Sequence, residues 1–192
     1  MVGYMNLEER VNADFVRARW RSSFRRLRTR LLNGRALDRL PCFDDARRRL
    51  GARGGVYRGL RVVRSTDVVG SVGRCSEFDR SFLPARASTE PRWKRVDRLF
   101  HLGKDEFPPV ILYKIGDAYF VLDGNHRVSV ARFHGVEWVD AEVTEFGASL
   151  RAAPKRLDIP EEPKMQTEVK DFGLPVLEAT SRRGDLRSGD LA

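Results

Sequence analysis

At 192 residues, 41% of them apolar, the chain has material for one ordinary domain with appendages. No apolar run approaches the ~20 residues that span a bilayer, and the start lacks the apolar stretch of a signal peptide, which together predict a cytoplasmic protein. The formal charge of +9 is concentrated at one end: residues 1–49 hold 13 arginines against 6 acids, and residues 50–192 hold 23 cations against 21 acids. Such an asymmetry points to an acidic partner for the N-terminal part: nucleic acid, an anionic membrane face or an acidic protein.

The first element is a long helix over 7–32, free of Pro and Gly and ended by Asn33-Gly34. At 100° per residue, Ala13, Val16, Trp20, Phe24, Leu27 and Leu31 form one apolar stripe. Arg10, Arg17, Arg21, Arg25 and Arg28 flank it on one side, and Arg19, Arg26 and Arg30 on the other. The stripe needs an apolar partner, in cis or on a second copy of the chain as a homodimer, while Val11 and Phe15 fall off it, which allows a different buried face in the first turns. Arg17, Arg21, Arg25 and Arg28 are the candidate contacts to a DNA or RNA backbone, through counterion release. Trp20 and Phe24 would also suit a helix lying on a membrane surface. A second helix follows Pro41, with Asp44 or Asp45 as its cap, Arg47 to Arg49 in its last turn and Gly51 at its end. The segment 51–55 (GARGG) reads as a joint between a basic helical arm, 1–52, and a domain over 57–147.

Within that domain, 59–63 reads as a strand, and Ser65-Thr66-Asp67 caps a turn carrying Val68 and Val69. Residues 72–88 form a long irregular loop in which Glu77 and Asp79 are candidate substrate-side carboxylates. Thr89-Glu90-Pro91 opens a helix to His101, with Trp93, Val96, Leu99 and Phe100 as its buried face. Strands over 110–114 and 118–122 make a hairpin through Gly116-Asp117, a helix runs over 126–134, and the last strand is 138–143. His101 and His134 fall at helix C-termini, where the dipole favours them. Cys42 and Cys75 lack metal-ligand spacing and are expected as reduced thiols. Residues 148–192, rich in Pro and balanced in charge, read as an irregular or disordered tail in which 172–177 (FGLPVL) can dock on the domain.

The strongest chemical signal is Asp123-Gly124-Asn125-His126-Arg127, where a strand enters a tight turn and a helix begins. The first N–H groups of a helix have no intrahelical partners and carry partial positive charge, so they cradle anions. Gly124 lets a phosphate approach the backbone, and Arg127 can grip it with a planar, permanently charged fork. His126 can donate to a phosphate oxygen or act as acid or base, and Asp123 can hold Mg2+ or accept a proton. Asp-Gly-Asn is equally ordinary turn chemistry, with Asp123 or Asn125 as a plain helix cap.

The run from Phe107-Pro108-Pro109-Val110 to Val143 resembles the core of the ParB N-terminal domain/sulfiredoxin superfamily. The shared pattern is a Pro-rich entry to an apolar strand, a hairpin, a turn of the Asp-Gly-x-His-Arg kind leading into a helix, and a closing strand. The resemblance implies an α+β fold with a small mixed sheet. It also implies that Gly124, Asn125, His126 and Arg127 bind the phosphates of ATP or CTP with Mg2+. Asn125 stands where sulfiredoxins carry their catalytic cysteine, which argues against sulfinic-acid reduction. The turn differs from the Gly-Glu-Arg-Arg of ParB proper, and no helix-turn-helix pattern follows 147. The leading expectation is a nucleotide-binding, nucleic-acid-associated protein of chromosome-partitioning or regulatory type. The alternative is a Mg-dependent phosphotransferase or nucleotide hydrolase using Asp123 and His126.

Overall fold

The computed structural model describes residues 6–33, 39–103 and 107–147. The calls on the 148–192 tail and on Gly34 lie outside them. A five-stranded mixed sheet in the order β1-β5-β3-β4-β2 organises the molecule, with β1 Arg53–Arg64, β2 Val68–Ser71, β3 Val110–Ile115, β4 Ala118–Asp123 and β5 Trp138–Gly147. Helices are α1 Leu7–Asn33, α2 Phe43–Leu50, α3 Glu90–His101 and α4 Asn125–Phe133. β1 pairs antiparallel with β5 and β3 antiparallel with β4, while β3–β5 and β4–β2 are parallel. The expected hairpin forms: Ile115 pairs with Ala118, and Gly116 supplies the positive φ (59°) that the tight turn requires.

Alternation along the strands sends side chains to two cores. Val110, Leu112, Val121, Ala141 and Val143 face one way, under Trp93 of α3 and Val128 of α4. Ile115, Ala118 and Phe120 face the other way, against Phe43, Ala46 and Leu50 of α2. The α2 helix is therefore a layer of the fold, with Phe43 packed edge-on to Phe120 and Phe146. Its N-cap is Cys42, which makes no side-chain capping bond, and Asp44 and Asp45 sit in its first turn instead of capping it. β1 begins at Arg53, directly after α2, so 51–55 is no free joint. The N-terminal helices and the sheet belong to one compact unit.

Helix α1 corrects the sequence reading more strongly. Its buried face is Val11, Asp14, Phe15, Ala18 and Ser22, positions spaced for one side of a helix, and Phe15 packs on Trp93 at 5.6 Å. The apolar stripe faces outward: Val16, Trp20, Phe24, Leu27 and Leu31 are all exposed, with Trp20 stacked on Phe24. Val11, Phe15 and Ala18 form a narrow apolar seam toward α3, and ion pairs between the helices flank it. Arg98 of α3 holds Glu8 through two bonds of 2.6 and 2.7 Å. On α3, Trp93 and Asp97 are the fully buried residues, and Val96, Leu99 and Phe100 are half-buried.

The cysteines are a second correction. Cys42 and Cys75 form a disulfide, with Cα atoms 5.6 Å apart, because Cys42 bridges to Ser71 and the chain returns past it four residues later. The expectation of reduced thiols fails with it. Among the described residues no helix is long and apolar enough to cross a membrane.

Candidate functional site

Strand β4 delivers the chain into Gly124, whose φ of 98° and ψ of 21° lie in the left-handed region, and α4 starts at Asn125. Glycine is needed here twice over. An L side chain would be strained at this φ, and a Cβ would come within 2.7 Å of Val110 Cγ1 and 3.0 Å of Arg127 Nε. No side chain caps α4, and its first backbone bond runs from Val128 N–H to Gly124 C=O. The amides of residues 125–127 are thus left without a helical acceptor.

Behind these amides sit two side chains with unmet polar atoms. Asn125 is 5% exposed, and its Oδ1 is buried without a hydrogen-bond partner. Rotation about the last torsion exchanges its oxygen for the NH₂ end, so the unmet position can present a donor. His126 has both ring nitrogens buried and unpartnered, and its ring lies edge-on to Phe78 at 5.2 Å. Burial is the main reason its pKa falls from 6.5 to about 4. The positive charges of Arg74 and Arg92 lower it further, partly opposed by Glu77. The imidazole is therefore neutral at pH 7, with one N–H to donate and one lone pair to offer. The long loop brings Arg74 here, paired with Glu77 at 2.8 and 2.9 Å, while Arg92 comes from the first turn of α3.

Arg127 occupies a different role from the one expected of it. Its guanidinium donates to the carbonyls of Pro108 and Pro109 and pairs with Asp123 Oδ2 at 2.6 Å. It braces the turn to the entry of β3. Asp123, with its side chain 68% exposed, keeps one carboxylate oxygen on Arg127.

Of the two loop carboxylates, Glu77 reaches this region through Arg74. Asp79 does not: it is 2% exposed and accepts the backbone N–H groups of Ser81 and Leu83, organising its own loop. Burial raises the Asp79 pKa despite those bonds. The arginines expected on nucleic acid are largely engaged within the fold. Arg17 pairs with Asp14, Arg21 lies over the Phe133 ring at 5.1 Å and Arg25 bonds Ser81, while Arg28 is exposed.

Sequence reasoning missed Arg74, which nothing but the fold brings to the turn, and did not single out Arg92 among the cations of the 91–101 helix. His101 and His134 do end α3 and α4 as expected, but the sequence did not show their partners. Both histidines bind carboxylates, His101 Nε2 to Asp14 Oδ2 at 2.8 Å and His134 Nε2 to Asp97 Oδ1 at 2.7 Å. The only sequence signal was the Asp97-x-x-x-His101 spacing, which puts both side chains on one helix face. Comparison of the chain with protein-family models, curated proteins and solved structures finds no match.

Proposed function

We propose that the β4–turn–α4 unit binds the phosphate groups of a nucleoside triphosphate, ATP or CTP with Mg2+, in a domain of the ParB/sulfiredoxin type. The observation that carries this reading is the set of unmet polar atoms at one helix start. Asn125 and both nitrogens of His126 are buried without partners, beside uncapped amides and the charges of Arg74 and Arg92. Unpaired buried polar groups cost roughly 1–3 kcal/mol each, and a phosphate can accept from the single N–H of neutral His126 and from Asn125 with its amide turned, relieving part of that cost. A phosphate supplies several acceptor oxygens and a negative charge that answers the helix dipole and both arginines. Asn125 occupies the position of the sulfiredoxin cysteine, so the reading excludes sulfinic-acid reduction. Calorimetric titration with ATP, CTP and ADP tests it. Binding should weaken about tenfold to a hundredfold in Arg92→Ala, the loss of one charged hydrogen bond. No heat from any of the three nucleotides on the folded wild type rejects it.

Nucleic-acid association accompanies this reading, carried by the exposed arginines of α1 such as Arg28 and by those of β1, where Arg58, Arg61 and Arg64 line an edge strand. It predicts DNA binding that weakens steeply with salt. Phosphotransfer or hydrolysis at the same pocket, with Asp123 and His126 as the reacting groups, predicts Mg-dependent phosphate release that Asp123→Asn abolishes.

A further inference from the structure

At the other end of α4 lies a second cluster, unrelated to the phosphate cradle, where three helices converge. Asp14 comes from α1, Asp97 and His101 from α3, and His134 from the C-terminal end of α4. One ligand atom from each lies within 4.8 Å of every other. Both carboxylates are buried, Asp14 at 3% and Asp97 at 0% exposure. Arg17 answers the charge of Asp14, whereas Asp97, fully buried, has only imidazoles beside it among the described residues. Its Oδ1 bonds His134, but its Oδ2 is buried with no hydrogen-bond partner and faces His101 Nε2 at 3.7 Å. The two imidazoles stand nearly perpendicular, 86° between planes and 5.3 Å between centroids, both with Nε2 turned inward. The Phe100 ring stacks on His134 at 4.1 Å.

We propose that Asp14, Asp97, His101 and His134 form a structural site for a divalent first-row metal ion, Zn2+ in the first instance. Two imidazole nitrogens and two carboxylate oxygens suit a borderline ion, whereas Mg2+ and Ca2+ favour oxygen alone. A tetrahedral ion with bonds of about 2.0–2.1 Å sets its ligand atoms about 3.3 Å apart. Each histidine already stands 2.7–2.8 Å from one carboxylate oxygen, and the four ligand atoms lie within 4.8 Å of one another, so side-chain rotation has to open the two close pairs and draw the wider ones in to admit the ion. Four protein ligands leave no open position, which assigns the ion to structure. It would neutralise both carboxylates and pin α1 to α3 and α4. The Arg17 bond to the other oxygen of Asp14 would orient that ligand from outside.

The chain holds 3 histidines and 2 cysteines, and the cysteines are joined, so an imidazole-dependent site has few other places to form. The test uses the full oxidised chain, stripped with chelator and titrated separately with Zn2+ and Co2+. Expected are one ion per chain by atomic emission, a melting temperature that rises with Zn2+, and a Co2+ spectrum of intense tetrahedral d–d bands without sulfur charge transfer. His101→Gln and His134→Gln should weaken Zn2+ binding by more than about a hundredfold, beyond the effect of an outer-shell partner. Absence of stoichiometric Zn2+ and Co2+ uptake by the folded wild type overturns the proposal. So does uptake that both variants, folded by circular dichroism, retain. Should either variant fail to fold, the wild-type Co2+ spectrum decides, because octahedral weak bands or thiolate transitions contradict this ligand set. Nucleotide binding plays no part in any of these readouts.

Discussion

Lowering the pH should destabilise the protein through His126 before its carboxylates protonate. The folded pKa of His126 is about 4 against 6.5 for a free imidazole. The unfolded chain therefore takes up the proton first as pH falls. Stability from this group is complete above 6.5 and is lost progressively as pH drops toward about 4. Solvent screening of the partly exposed ring reduces the linked loss between about pH 7.5 and about pH 5 from about 2 kcal/mol to about 1 kcal/mol. The assay is urea unfolding at a series of pH values on the wild type and on His126→Phe, which keeps a ring against Phe78 and removes the titration. The difference within each pair cancels every other group that titrates in the range. The wild type should lose stability relative to the variant below about pH 6.5, and a saturating nucleotide should diminish that loss, since a bound phosphate favours the protonated ring. Parallel pH profiles for the two proteins would refute the reasoning.

Gly124→Ala should cost about 1–3 kcal/mol in chemical denaturation, from left-handed strain and from the close approach of Val110. An unchanged midpoint would contradict the turn geometry. Arg127→Ala should lower stability by about 1.5–3 kcal/mol with or without nucleotide, because the side chain braces the carbonyls of Pro108 and Pro109. A variant that keeps its melting temperature and loses only binding would return Arg127 to the role of direct ligand. Trp93→Phe removes the buried 3.0 Å bond from Nε1 to Ser129 Oγ and should cost about 2–4 kcal/mol by the same assay. Reducing the Cys42–Cys75 bridge, which closes a separation of 33 residues, should lower stability by about 3–4 kcal/mol, and no shift with reductant would speak against the bond.

Much of the fold was legible in the sequence because its local signals agree. Gly116-Asp117 between two apolar runs gives a hairpin, Pro91 in a first turn opens α3, and Gly51 and Gly135 close helices. The turn at 123–127 was legible for the same reason, a strand, a glycine and a helix start in sequence. Helix α1 was misread because periodicity identifies which residues share a face, not which face is covered. Its inner side mixes Val11, Phe15 and Ala18 with Asp14 and Ser22, so its polar positions mask the apolar ones in a hydrophobicity pattern. Arg127 was assigned to a ligand because its charge and position were visible, whereas its acceptors, Pro108 and Pro109, become neighbours only when β3 lies beside β4. Arg74, Arg92, the disulfide and the four-residue cluster share that cause: each joins segments far apart in the chain.

The amides of Asn125, His126 and Arg127 can be observed directly by NMR while ATP or CTP with Mg2+ is added. The account predicts that these three resonances move together and saturate, with His126 ring shifts reporting a raised pKa. Perturbations elsewhere while these amides stay fixed would place any bound phosphate away from the start of α4 and contradict the claim.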